Sequence, residues 1–234
     1  MSRKLSSVFA TAALMSSTAL ADVPNVAVDI APVHSLVARV MQGVGTPDLI
    51  IRSGASPHQY SLRPSEAKAL QDANVVIWMG EGLTPWMEDA VATLSSEALT
   101  MSLLRKEETA LLEFRESALF EEHSHDDHSD KDHDETEEHG HDEHAHGTYD
   151  PHAWLSPENA KNWLNLIAAQ LSTADPENAG TYFTNAAIAL TETDTLMTEV
   201  STMLEPIRGT RFIVFHDAYQ YFETVFDFPA SGAI

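Results

Sequence analysis

The sequence predicts an α/β protein: a mainly parallel sheet, followed by one long helix that leads into the start of a second α/β unit. Three observations predict it. Between Val26 and Ser102, short β-rich runs alternate with amphipathic helical patterns, the signature of βαβ units. From Asp175-Pro176 a second helical stretch runs to Leu204, about 44 Å at ~1.5 Å per residue, a length that suits a strut between lobes. Beyond it the apolar run 212–215 reads as a buried strand that opens the second unit.

Taken in order, residues 1–21 come first. Arg3 and Lys4 make a positive start, 5–20 is an apolar and small-residue run, and Ala19-Leu20-Ala21 precedes Asp22. This is the pattern of a cleaved secretory signal peptide, so the mature chain is expected outside the cytoplasm. The run is rich in Ser and Thr and shorter than the ~20 apolar residues of a spanning helix. Strands are then expected at 26–30, 49–51, 75–79 and 99–102, with helices near 35–41, over 65–72 and from Pro85. Thr84-Pro85 and Ser156-Pro157 each pair a capping side chain with proline at the first helical position. Over 157–171, Trp163, Leu164, Ile167, Ala168 and Leu171 recur on one helical face, which should be buried. The expected organisation is a signal at 1–21, an N-terminal lobe at 22–172, a linker helix at 173–205 and the start of a C-terminal lobe at 206–234.

Composition narrows the function. The 234 residues include 13 Lys+Arg against 36 Asp+Glu, for a net charge of −23, with 12 His and no Cys. Nucleic-acid backbones and anionic membrane faces are poor partners for such a chain, because both are bound through Lys and Arg. The absence of Cys excludes disulfide staples, thiolate zinc fingers and Cys nucleophiles. What remains is an acidic, histidine-rich globular protein.

About half of the net charge lies in residues 121–150, which hold 13 acidic residues against the single Lys131. Eight of the 12 histidines are there too: His123, His125, His128, His133, His139, His141, His144 and His146. With almost no apolar residues, a His/Asp/Glu-rich loop at about 121–148 is expected to be a mobile surface excursion. Imidazole and carboxylate in H-x-H and H-x-x-H spacing suit zinc and related ions, at several weak accessory sites and not one tight site. A solvating acidic linker is the plainer alternative.

Four histidines lie elsewhere. His58 sits in the loop after the strand at 49–51, His152 just before the capped helix at 157, and His216 directly after 212–215. Ligands in open α/β sheets bind outside the carboxyl ends of strands, where His58 and His216 both fall. Three neutral imidazoles make a tetrahedral zinc site with one position left for water or a carboxylate. Each histidine alone could equally be structural. His34, at the end of the first strand, is expected to serve structure or to support a ligand from behind, and Asp150 and Asp217 are further candidates for that supporting role.

Four ordered motifs then carry a resemblance. They are Gly54-Ala55-Ser56-Pro57-His58-Gln59-Tyr60-Ser61-Leu62-Arg63-Pro64-Ser65, the acidic His-rich insertion, Asp150-Pro151-His152-Ala153-Trp154-Leu155-Ser156-Pro157, and Phe215-His216-Asp217-Ala218-Tyr219-Gln220-Tyr221-Phe222. Together they resemble the ZnuA-type zinc-binding proteins of bacterial ABC importers, from Asp22 to the end of the chain. The resemblance implies two α/β lobes joined by one long helix, with Zn²⁺ held between them by His58, His152 and His216. It further implies a monomeric periplasmic protein that is not an enzyme and that hands the ion to an inner-membrane permease with its ATPase. Members of the family continue beyond position 234 to complete the second lobe, where some carry an acidic residue near the metal. Pro57 stands where some have Glu, which favours water as fourth ligand.

Ligand type favours Zn²⁺ over Mn²⁺, since manganese prefers carboxylate oxygen; Cu²⁺ and Ni²⁺ remain competitors. Two rival readings stay open. A zinc hydrolase would need a general base beside the metal, and no H-E-x-x-H occurs, although His216-Asp217 is a pair found in metal phosphohydrolases. A periplasmic zinc buffer or chaperone would work chiefly through the loop.

Overall fold

The structure is a computed structural model that describes residues 23–115, 120 and 148–234. The expected signal peptide at 1–21 and all eight histidines of the acidic loop lie outside the described residues.

Four strands, β1 (Val26–Val28), β2 (Asp48–Leu49), β3 (Val75–Trp78) and β4 (Leu99–Ser102), form one parallel sheet in the order β2-β1-β3-β4. Every residue of β1 and β3 is buried, as expected of central strands covered on both faces. Helices α1 (Ala31–Val40), α2 (Pro64–Asp72) and α3 (Pro85–Leu94) connect them. The chain winds outward from β1 to β2, then crosses back to β3 and β4. With right-handed crossovers this puts α1 on one face and α2 and α3 on the other. The reversal between β1 and β3 is locked by Asp29, whose fully buried carboxylate accepts N–H bonds from Ile30 and Met79, both at 2.7 Å. Burial pushes this carboxyl up to about 7, and the two backbone donors pull the other way. Gly80 follows β3 at φ +123°, where a Cβ would meet the Ser102 hydroxyl at 2.5 Å, so only glycine fits that turn.

Helix α4 (Pro157–Ala174) buries Trp163, Leu164, Ile167, Ala168 and Leu171, the face that the sequence periodicity marks. Ser156 caps it by accepting from the Asn159 N–H at 3.2 Å. Thr84 does not cap α3 in this way, contrary to the sequence expectation. Its hydroxyl donates back to the Gly80 carbonyl at 3.2 Å, because the tight turn after β3 brings that acceptor closer than the α3 amides.

The long helical stretch is broken at its start. A single 3-10 turn, Pro176–Asn178, precedes α5 (Ala179–Leu204), whose 26 residues span about 39 Å. The first half of α5 is not a free strut: Tyr182, Ala186 and Ala189 are buried against α1 and α4. The second half is largely exposed, with Leu196 and Met203 open to solvent. After α5 the expectation of a buried strand at 212–215 fails. Val214 forms a parallel bridge to Ala233 and the Phe212 carbonyl accepts the Ser231 N–H at 2.8 Å, but no extended strand forms, and Ile213 and Phe215 are 61% and 84% exposed. Among the described residues no layer covers that face, so alternation along the strand turns two of its apolar residues to solvent. A short helix, α6 (Gln220–Phe226), follows.

Asp175 joins α4 to α5. It is buried, caps the 3-10 turn through the Asn178 N–H (3.3 Å), and accepts from the Asn178 amide and the Tyr182 hydroxyl, both at 2.7 Å. Burial alone would raise its carboxyl, but these donors outweigh burial and hold it below the ordinary 3.8. A carboxylate depressed in the folded state stabilises at every pH above its unfolded value and loses that contribution as the pH falls through the folded value. Asp175→Ala is therefore expected to cost about 2 kcal/mol at pH 7 in urea unfolding. The gap to the parent chain should narrow as the pH is taken below 3.8; a gap independent of pH would contradict this assignment.

Candidate metal centre

Three imidazoles meet where the β2 loop, the turn before α4 and the segment before α6 converge. One ring nitrogen from each of His58, His152 and His216 lies within 4.8 Å of the other two. Their centroids are 5.1 to 6.0 Å apart and the ring planes are steeply inclined to one another, at 67° to 78°. His58 is half-buried, His152 buried and His216 exposed.

His152 is the most tightly set. Asp150, itself buried, accepts its backbone N–H at 2.9 Å and lies 2.6 Å from its Nδ1. A carboxylate only accepts, so Nδ1 carries the proton and Nε2 is turned to the centre, the arrangement by which carboxylates orient metal-binding histidines. The Trp154 ring packs 5.1 Å from the imidazole. From the other side, His216 brings its Nε2 to 3.2 Å from that of His152. Two nitrogens bound tetrahedrally to one ion at 2.0–2.1 Å would be about 3.3 Å apart, so the spacing fits two ligands of one metal as well as an N–H···N bond.

His58 rides on a loop that opens at Gly54, with φ +83°. Two residues from neighbouring helices hold that loop. Trp86 of α3 donates to the Pro57 carbonyl at 2.8 Å and packs on Tyr60. Glu66 of α2 accepts from the Arg63 N–H (2.8 Å), the Tyr60 hydroxyl (2.9 Å) and Arg52 Nε (3.3 Å). Burial would raise the Glu66 carboxyl, yet these donors together hold it below its ordinary value.

The candidate supporting residues divide. Asp150 touches the His152 imidazole. Asp217, next to His216, faces Arg115 at 3.8 Å; burial pushes its carboxyl up and the guanidinium opposes this. His34 is engaged elsewhere, its Nε2 lying 3.0 Å from the Pro47 carbonyl where α1 passes the chain entering β2. The contacts that sequence reasoning missed are those of Glu66 and Trp86 on the His58 loop and of Arg115 opposite Asp217, because no spacing rule says which distant segment such a side chain reaches.

A family model described as "Zinc-uptake complex component A periplasmic" matches residues 26–234. The high-affinity zinc uptake system protein ZnuA of Paracoccus denitrificans (strain Pd 1222) is 53% identical over 223 residues, covering 93% of this chain and 68% of the relative. The protein of the same name from Brucella abortus (strain 2308) is 42% identical, with 90% and 67% covered. The chain thus spans about two thirds of the length of these curated relatives. Among solved structures, one described as ZnuA has a TM-score of 0.70 at 22% identity, over 89% of this chain and 69% of that one. A ZnuA with residues 138–173 of its own numbering deleted, solved with zinc bound, also has a TM-score of 0.70, at 21% identity over 91% and 72%. These likenesses at low identity establish the fold.

The contact between Asp150 and His152 generates a test. Asp150→Ala is expected to lower the affinity for a divalent ion about 10- to 100-fold in competition with a chromophoric chelator. His34→Gln should leave that affinity unchanged, because its ring is occupied by the Pro47 carbonyl.

Proposed function

The chain belongs to the ZnuA family, and from that premise we propose that it captures Zn²⁺ in the periplasm and delivers it to the permease and ATPase of an ABC importer. The observation that carries this reading is the convergence of His58, His152 and His216 on one point. In the proposed site Zn²⁺ is cargo and not a resident cofactor. Three neutral imidazoles suit Zn²⁺ better than Mn²⁺, and a fourth position stays open for water. His58 and His152 come from segments packed on the sheet and α4, whereas His216 is the exposed member on the segment after α5. Capture would therefore cross-link that segment to the sheet, and displacement of His216 would open the coordination sphere for release. Protons compete with metal for imidazole, so affinity should weaken on acidification.

The curated relatives named for high-affinity zinc uptake support the reading, and so does the chemistry of the donor set. The eight histidines of the acidic segment are proposed as accessory weak sites that raise the local concentration of zinc. Asp150 is committed to the His152 Nδ1, and turnover of a substrate is not proposed.

Titration calorimetry of the purified chain tests this. His58→Ala, His152→Ala and His216→Ala should each abolish one tight zinc site, whereas deletion of 123–146 should remove only weak ones. Tight binding retained in all three variants would overturn the assignment. In a strain lacking its zinc-binding component, growth at low zinc should be restored by the loop-deleted chain and not by the His152→Ala variant. Restoration by the second would favour a buffer that works through the loop.

A further inference from the structure

Tyr221 is buried in the first turn of α6, and its hydroxyl makes two hydrogen bonds that cross between chain segments far apart in sequence. It donates to the Asp150 carbonyl at 2.7 Å and accepts from the Leu112 N–H at 3.0 Å. Those two residues are already paired, since the Asp150 N–H donates to the Leu112 carbonyl at 2.8 Å and Glu113 bridges Tyr149 in antiparallel fashion. One phenol therefore fastens α6 to both sides of a small two-stranded stem. A second fastening lies beside it. Arg115, on the same stem, donates to Glu223 at 2.9 Å, approaches Asp217 at 3.8 Å and stacks 3.9 Å over the Phe120 ring. Glu223 is buried and also accepts the Ala230 N–H at 3.0 Å, which ties in the chain after α6.

Both fastenings end next to a site histidine. Asp150 holds the His152 ring through its side chain while its carbonyl takes the Tyr221 hydroxyl. Asp217 is the neighbour of His216, and α6 begins three residues after Asp217. The backbone between His152 and His216 runs through the whole of α4 and α5, so covalent connection does little to fix a 3.2 Å separation. We propose that Tyr221, assisted by Arg115, is a positioning residue that sets the distance and angle between His152 and His216 and so the geometry of the metal site. Its hydroxyl bonds go to backbone groups, so it would act through Asp150 and not as a ligand. The inference rests on the proposed zinc site.

Tyr221→Phe keeps the ring in the core and removes both hydrogen bonds. In the full chain it is expected to weaken Zn²⁺ binding about tenfold, the scale of changes just behind metal ligands. Loaded with Co²⁺ in place of Zn²⁺, the variant should show shifted and weakened visible ligand-field bands, which report coordination geometry and do not respond to stability alone. Arg115→Gln is the second variant, at a less buried point, and should shift the bands in the same sense; Arg115→Lys should restore part of the parent spectrum. Should Tyr221→Phe fail to fold, the pair at Arg115 decides. Folded variants with parent affinity and parent bands would overturn the proposal and leave the zinc site standing, provided His152→Ala abolishes binding. Tight binding that survives His58→Ala, His152→Ala and His216→Ala would overturn the site, and the positioning role with it.

Discussion

Three imidazoles can share one ion only if their nitrogens are held a little over 3 Å apart, and a single N–H···N contact such as that of His152 with His216 does not fix all three there. The buried contact between Asp150 and His152 is the fixed point from which the rest is measured. It sets the tautomer and the direction of Nε2, and it sits where three elements meet: the stem at 112–115, the turn into α4, and α6 through Tyr221. Each of the other two histidines is then placed relative to that ring. A buried carboxylate is costly unless its acceptor capacity is used, and Asp150 uses it on one backbone and one ring N–H.

The two flanking histidines are held by different means. His58 depends on a loop braced from two helices, with Glu66 gathering three donors beneath it and Trp86 holding the Pro57 carbonyl. His216 follows a segment tied to 231–234 by three backbone hydrogen bonds but with two exposed apolar residues, and α6 and Arg115 restrain it further. This asymmetry suits a carrier. A ligand set with two well-braced members and one on a lightly covered segment can bind firmly and still open along one direction, because loss of a single imidazole weakens the remaining coordination. In the proposed function, firmness and release are divided between these parts.

The charge is divided as well. About half of the net −23 lies in residues 121–150, while the sheet and its helices carry compensated pairs such as Arg39 with Glu192, Arg105 with Glu81 and Lys161 with Asp194. Such exposed pairs add little stability each. Negative charge is densest over residues 121–150, next to the paired segments that Tyr221 and Arg115 fasten.

By itself the sequence determined the parallel α/β architecture, because hydrophobic periodicity and proline-marked helix starts are local signals. Trp163, Leu164, Ile167, Ala168 and Leu171 fell on one buried face for that reason. The sequence also singled out His58, His152 and His216 from twelve histidines, since motif context is legible in one dimension, although the strand expected just before His216 does not form. Tertiary structure alone decided what surrounds them. That Thr84 bonds backward, that α5 is half packed on α1 and α4, and that 212–215 is exposed all follow from which surfaces meet. Likewise, the reach of the Tyr221 hydroxyl to Asp150 and Leu112 joins residues 71 and 109 positions apart. Pairings at that separation leave no periodic trace in a sequence, because they depend on the relative placement of whole elements and not on the preferences of any one of them.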